Sequence, residues 1–334
     1  MREKKIRFQN KMAGSRFALT ITSLLCLVVW IVAGLATTSG GWNMESAQAN
    51  PLSIHANPLL VTLPCVALAT YMMAELNNAN TLIRIYSRMV SCAFLVMMTM
   101  ASFQYTSIGS AVVALCMAMF YRLAFSCYQD GHSMGRVFYA SLCLSIASLF
   151  FVQVLFFLPL LWLLLSTKLY MLTFKSFCAS LIGLITPYWF WTGYAFYKEQ
   201  TDVLVNHFAA LGTFEQLCDF SILSLPQMVT GGFIVLCACI GTIHYLGTRH
   251  MDRIRTQMLY EFFCICDYAA ILFLVLQPQH YAPLLGIIIV NTAPLIAHFI
   301  ALTRTRWTNY LTIGLLLLTV AITVFNLWNP SLNF

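Results

Sequence analysis

Residues 282–302 read APLLGIIIVNTAPLIAHFIAL, and this stretch decides the fold class. It carries no Asp, Glu, Lys or Arg, and about 20 such residues in a helix cross the hydrocarbon core of a bilayer. The whole chain has the same character, since 60% of its 334 residues are hydrophobic and 9% are charged. A soluble domain has about 25% charged residues. We therefore predict an all-α fold, a polytopic bundle of transmembrane helices.

Similar apolar runs, separated by short polar breaks, recur along the chain. They predict about eleven membrane spans (10–12) in a single transmembrane domain that covers residues 17–326. Two outer loops are long enough for chemistry, 39–57 and 197–226, and residues 327–334 form a short outer tail. The predicted spans are 17–38, 58–77, 88–103, 107–125, 137–151, 153–167, 175–196, 227–246, 259–276, 282–302 and 308–326.

The basic residues predict the orientation, because Lys and Arg collect on the cytoplasmic side of membrane spans. With a cytoplasmic N-terminus, the predicted spans place all but one of the 18 Lys and Arg residues on that side, and Lys198 is the exception. Residues 1–16 then form a cytoplasmic basic segment. The net charge of +7 has the same origin, so we predict no nucleic-acid partner.

The segment 137–167 is short for the two membrane crossings that the predicted orientation requires. Arg136 and Lys168 flank it and are both basic, so both are predicted on the cytoplasmic side. The residues between them must then cross an even number of times, although two full spans need about 40 residues. We predict a pair of short helices, or a re-entrant hairpin, that turns near Phe151–Gln153. The alternative, one long tilted helix, would invert the rest of the chain.

Charged side chains inside a bilayer are costly and often functional. Asp267 lies deep in the span 259–276, and Glu261 lies near its cytoplasmic end. The next span is antiparallel, so Asn291 is expected at the depth of Asp267, and His298 at the depth of Glu261. Helical phase argues against both pairs meeting at once. One hypothesis is a proton- or substrate-handling site, and the other is a polar contact that only holds two helices together.

The outer loops hold further candidates. Glu45 follows the first span closely, and a carboxylate there could act as a catalytic base on a lipid-linked substrate. His55, Asp202 and His207 are candidate substrate-binding residues in the two loops. In the second loop the spacing by three of Phe208, Leu211, Phe214 and Leu217 predicts a helix that lies in the plane of the headgroups.

Common cofactor motifs do not occur in the sequence. It has no P-loop, no G-x-G-x-x-G motif after a strand, no H-E-x-x-H and no two His at i, i+4. The 12 Cys are scattered through apolar runs, where free Cys behaves as a small hydrophobic residue. Two C-x-C pairs point to opposite sides of a helix and cannot share an ion. We predict no cofactor and no metal site.

The middle of the chain, residues 138–189, combines a small-residue helix at Ala140–Leu149, a Leu-rich run after Pro159, and a span that contains Gly183 and Pro187. This stretch resembles the core of the C-type glycosyltransferases and a group of uncharacterised bacterial inner-membrane proteins. The resemblance implies a multi-pass protein of the bacterial inner membrane that acts on a polyprenyl-phosphate-linked sugar at the outer face. The acidic residue of the first outer loop would be the catalytic one, which is Glu45 here. That loop is shorter than is usual in the family.

The leading hypothesis is therefore a cell-envelope transferase, or an accessory protein, that acts on a lipid-linked sugar, with the loop 197–226 covering the substrate. A second is a proton-coupled transporter of small molecules that uses Asp267 and Asn291. A third is a non-catalytic scaffold subunit. Besides the lipid bilayer, the expected partners are a polyprenyl-phosphate-linked substrate or other envelope proteins. Whether the protein is an enzyme stays open at this point.

Overall fold

The computed structural model describes residues 8–39, 58–214 and 216–328. Over these residues the chain forms helices and turns and contains no strand, which confirms the predicted all-α class. The helices are α1 Phe8–Ala13, α2 Ala18–Ser39, α3 Pro58–Asn80, α4 Met89–Met100, α5 Ile108–Phe125, α6 Met134–Phe150, α7 Leu158–Thr167, α8 Phe174–Tyr197, α9 Thr201–Ala209, α10 Leu225–Thr248, α11 Ile254–Leu276, α12 Tyr281–Leu302 and α13 Arg306–Trp328.

Six of the described helical segments are long and apolar enough to cross a membrane, namely α3, α5, α10, α11, α12 and α13. Shorter apolar helical segments lie at Ala18–Ala33, Met89–Met100, Met134–Phe150 and Val152–Thr167. The length of α8 would also suffice, but its second half is rich in Tyr, Trp and Gly. The protein is thus an apolar helical bundle of the kind that resides in membranes. The count of eleven spans and the cytoplasmic N-terminus stay predictions.

Helix α12 is the centre of the bundle and is buried along its whole length. It packs against α4, α5, α10 and α11. The polar residues of α12 fit this position, because the side chains of Asn291, Thr292 and His298 would lack hydrogen-bond partners against lipid. Small residues allow the close approach: a Cβ atom on Gly241 of α10 would lie 2.7 Å from the backbone carbon of Leu295.

Hydrogen bonds between turns show which turns lie together at each end of the bundle. At one end, called here the basic end, the turns after α3, α5, α7 and α10 meet. Gln129 N donates to Leu169 O (2.8 Å), and Arg255 Nη2 donates to Asn80 Oδ1 (2.8 Å). At the opposite end, called here the far end, Gln104 Nε2 donates to Ala282 O (2.8 Å).

The segment 137–167 forms the predicted pair of short helices. Helix α6 leaves the basic end, the chain bends at Phe151 (φ −146°, ψ 91°), and a 3-10 turn leads into α7, which returns. The Gln129–Leu169 hydrogen bond joins the two outer ends of the pair. One long helix would hold these ends far apart, so the alternative is wrong.

The start of the described chain is docked onto the bundle. Gln9 of α1 is buried, its Nε2 donates to Ile300 O (2.7 Å), and its backbone N donates to Asn309 Oδ1 (3.1 Å). Part of the predicted basic segment 1–16 therefore belongs to the folded domain, and α1 covers the end of α12.

The loop between α8 and α10 differs from the prediction. The headgroup-plane helix was expected to run through Phe208, Leu211, Phe214 and Leu217, but α9 covers Thr201–Ala209 and ends before the last three. Spacing by threes over such a short stretch did not distinguish a helix from successive turns. The first outer loop, with Glu45 and His55, lies outside the described residues.

Candidate functional site

Asp267 lies in the interior of the bundle, as its place in an apolar span predicted. Its side chain is 0% exposed, and its carboxyl oxygens lie 3.1 and 3.3 Å from the hydroxyl of Thr292 across the interface between α11 and α12. Among the described residues, this hydroxyl is its hydrogen-bond partner. Ionising a buried carboxyl that has a single neutral partner costs several kcal/mol, roughly, so the site is built around a group that gives up its proton with difficulty.

Asn291 does not contact Asp267 as the depth argument suggested. Its Oδ1 accepts a hydrogen bond from the hydroxyl of Tyr121 on α5 (2.6 Å), and its Nδ2 is buried without a partner. The depth argument placed Asn291 level with Asp267 but did not specify its direction: each residue turns an α-helix by 100°, so Thr292 faces α11 while Asn291 faces α5. The two residues still lie side by side on α12.

Glu261 and His298 do not form the second expected pair. Glu261 binds Nζ of Lys168 after α7, and Nη1 of Arg249 lies 3.6 Å from its other carboxyl oxygen. Its side chain is 19% exposed, whereas that of His298 is 0% exposed. Glu261 therefore lies at the rim of the basic end, on a different side of α11 from the one that faces α12.

His298 instead meets an acid from a turn. Its Nε2 lies 3.2 Å from Oδ2 of Asp252, and Nε of Arg84 lies 2.6 Å from Oδ1 of the same carboxylate. Asp252 lies between α10 and α11, and Arg84 lies between α3 and α4. Burial acts to raise the pKa of Asp252, but the hydrogen bonds from His298 and Arg84 outweigh it and hold that pKa below its usual value.

Several residues around Asp267 and Asp252 were not predicted as site residues from the sequence. Tyr121 looked like an ordinary core residue of an apolar span, and Arg84 looked like an ordinary loop charge. One signal was present: Asp252 is the acid in the basic stretch HMDRIR. An acid within a basic stretch between two apolar runs is a candidate for an internal ion pair.

The candidate residues of the second outer loop lie at the far end. His207 is half-buried against α8, with its ring 4.9 Å from that of Trp191 and its Nε2 3.5 Å from the hydroxyl of Tyr188. Burial lowers the pKa of His207. Asp202 is exposed and lies about 140° away from His207 around α9. The structure therefore does not bring these two predicted substrate-binding residues together.

Within the described residues, no group of three or more His, Cys, Asp or Glu side chains is arranged to hold a metal ion. The 12 cysteines are free thiols, and most are buried. Neither the residues around Asp267 nor those around Asp252 include the ligands of a familiar cofactor.

Searches with this chain against protein-family models, curated proteins and solved structures found no match.

Proposed function

We propose that this protein is an integral membrane transporter in which protonation of Asp267 is coupled to the passage of a small polar solute. The supporting observation is the complete burial of Asp267 beside Thr292 in the middle of the bundle. Ionisable side chains inside membrane helices are rare, and they often belong to proton relays or substrate pathways. The basic end would face the cytoplasm of a bacterial cell.

The neighbours of Asp267 offer groups that can bind a solute. The Nδ2 of Asn291 is a buried donor without a partner, and the hydroxyl of Thr292 can donate or accept. Pro294 has no backbone N–H, so the carbonyl of Val290 lacks its regular partner in α12. One turn of the central helix thus presents a donor, a hydroxyl and an acceptor next to a carboxyl group.

The described structure supports this hypothesis more than the transferase hypothesis. Of the outer candidate residues that the structure describes, Asp202 is exposed and His207 packs against aromatic rings. A scaffold would not need a buried carboxyl in its core, where a carboxyl with one neutral partner lowers stability.

The test is solute-driven proton movement in liposomes that contain the purified protein and a pH-sensitive dye. Amino acids, sugars and organic cations are added one at a time, and the change in internal pH is measured. Asp267→Asn should abolish the signal, because Asn keeps the volume and can bond to Thr292 but cannot carry a proton. Glu261→Gln is the matched control on the same helix and should retain most of the signal.

Equal proton movement in the wild type and in Asp267→Asn would overturn the proposal. So would a wild-type signal no larger than that of protein-free liposomes across the whole panel. Size-exclusion chromatography of each variant shows whether it is folded before the flux is compared.

A further inference from the structure

Three buried polar atoms without hydrogen-bond partners lie together at the basic end. They are Nε2 of His244, Nδ1 of His298 and the hydroxyl oxygen of Tyr260. The ring of His298 lies 5.3 Å from that of His244 and 4.8 Å from that of Tyr260, between ring centroids. Buried polar atoms are nearly always paired. Two unpaired atoms near an imidazole whose own Nδ1 is also unpaired indicate a place for a small hydrogen-bonding guest.

The Asp252 carboxylate determines which nitrogen of His298 carries the proton. An ionised carboxylate only accepts hydrogen bonds, so the Nε2 that faces Asp252 must be the protonated nitrogen. In the neutral ring Nδ1 then has a free lone pair. Arg84 keeps the carboxylate ionised and fixes its position. The Nδ1 of the buried His298 can therefore accept a proton, and it points away from Asp252.

Several charged and titratable groups face this imidazole. The groups that face it are Asp252 and Arg84 from the turns, His244 and Tyr245 from α10, and Tyr260 from α11. Arg84 and Asp252 balance each other. The more distant Glu261 is paired with Lys168 and Arg249. A proton added at Nδ1 of His298 would leave the Nε2–H on the carboxylate in place.

We propose that His244, His298 and Asp252 form a proton-loading site, in which a water molecule joins Nε2 of His244 to Nδ1 of His298. A proton from the basic end passes through this water and binds to Nδ1 of His298, and no other bond is made or broken. Arg84 and Asp252 are positioning residues, and the hydroxyl of Tyr260 gives the water a third partner. The guest is water and its proton, since the described residues offer no set of metal ligands here.

The destination of the proton rests on the proposed function. His298 lies six residues from Thr292 along α12, which is about 9 Å, and Asp267 contacts Thr292. Asn291 lies two turns from His298 on the same side of the helix. A proton bound to His298 would thus lie on the same helix as Thr292, which contacts the Asp267 carboxyl of the transport hypothesis.

Solid-state NMR of histidine-labelled protein tests the site directly. The protein is placed in vesicles of phosphatidylethanolamine and phosphatidylglycerol, and spectra are taken from about pH 8.5 to about pH 4.5, across the ordinary histidine pKa of about 6.5. We expect His298 to be the Nε2–H tautomer at high pH, to receive magnetisation from water, and to become an imidazolium as the pH falls. Because two coupled groups titrate as a pair, His244→Gln should move the midpoint of His298 by about one pH unit or more.

His250→Gln is the matched control, because His250 is exposed at the same end and lies six residues from His244. It should leave the His298 titration unchanged. Asp252→Asn should reduce the fraction of protonated His298 at a given acidic pH. An unchanged His298 midpoint in folded His244→Gln, an Nδ1–H tautomer at high pH, or no transfer from water would each overturn the proposal. The last two measurements use the wild type and hold even if a variant does not fold.

The liposome assay separates this inference from the transport hypothesis. Normal titration of His298 in a protein without proton flux would reject transport and retain the proton site. Asp267-dependent flux in a protein whose His298 does not titrate would retain transport and reject the proton site.

Discussion

Arg84 and Asp252 are 168 residues apart in the sequence, and Nε of Arg84 lies 2.6 Å from Oδ1 of Asp252. The carboxylate is fully buried, while the side chain of Arg84 is 36% exposed. Since Asp252 also contacts His298, this ion pair ties the turn after α3 and the turn after α10 to the central helix. This partly buried ion pair is thus a link between turns at one end of the bundle.

Arg84→Met should destabilise the protein substantially. It leaves the buried Asp252 carboxylate with His298 as its remaining partner, and breaking a buried pair costs about 3–5 kcal/mol. The partial exposure of Arg84 places the effect near the lower end of this range. The melting temperature in detergent measures it. The double variant Arg84→Met/Asp252→Asn should recover part of the loss, because no unpaired charge remains.

Glu75→Gln is the control for this prediction. It removes the ion pair between Glu75 and Arg122, in which the side chain of Glu75 is 40% exposed and that of Arg122 is 27% exposed. Such pairs contribute about 1 kcal/mol or less. Equal losses in Arg84→Met and Glu75→Gln would contradict the assignment of Arg84 and Asp252 as a buried link.

Two glycines of α8 should respond in opposite ways to replacement by alanine. A Cβ atom at Gly183 would lie 2.5 Å from the backbone oxygen of Phe138 on α6, whereas a Cβ at Gly193 would meet nothing within 4 Å. Gly183→Ala should push α8 away from α6 and cost about 1–3 kcal/mol. Gly193→Ala should be neutral or slightly stabilising, because Ala favours the helix by about 1 kcal/mol. Thermal unfolding of both variants decides, and a stabilised Gly183→Ala would show that these helices do not pack as described.

The packing of α9 on α8 should weaken in acid. Burial lowers the pKa of His207, so the packed state binds fewer protons than the released state. The packing is therefore fully favourable above the ordinary histidine pKa of about 6.5, and it is lost as the pH falls through the lowered pKa. The emission of Trp191, obtained as the difference between the wild type and Trp191→Phe, should change over that range.

His207→Gln should remove this pH dependence, and His132→Gln, at an exposed position of the opposite end, should not. A Trp191 signal that depends on pH equally in both variants would assign the effect to some other group.

Cys218 offers a test of the orientation. It is the exposed cysteine of the loop between α9 and α10, at the far end. If the basic end faces the cytoplasm, a membrane-impermeant maleimide should label Cys218 in intact spheroplasts and fail to do so in inverted vesicles. In the background Cys218→Ser, His132→Cys at the basic end should show the reverse pattern. Labelling of Cys218 in inverted vesicles alone would reverse the predicted topology.

The sequence predicted the helices well and their contacts poorly. The predicted span 88–103 corresponds to α4, Met89–Met100, and the turn expected near Phe151 occurs there. Both depend on local properties, namely the length of an apolar run and the breaks between runs. The predicted depth of Asp267 along α12 was correct, but the residue named there was Asn291, whereas its neighbour Thr292 makes the hydrogen bond. A shift of one residue changes the direction of a side chain by 100°, and no local signal specifies that rotation.

The sequence by itself indicated a membrane protein and the class of its fold, because a chain with 60% hydrophobic and 9% charged residues has too few charged side chains to cover a water-soluble fold. Only the tertiary structure decided which polar groups meet. Arg84, Asp252 and His298 come from two turns and the central helix, and Asp267, Thr292, Asn291 and Tyr121 come from three different helices. Their contacts depend on how each helix is rotated and packed, and that is set by close approaches such as Gly241 on Leu295 along the whole bundle.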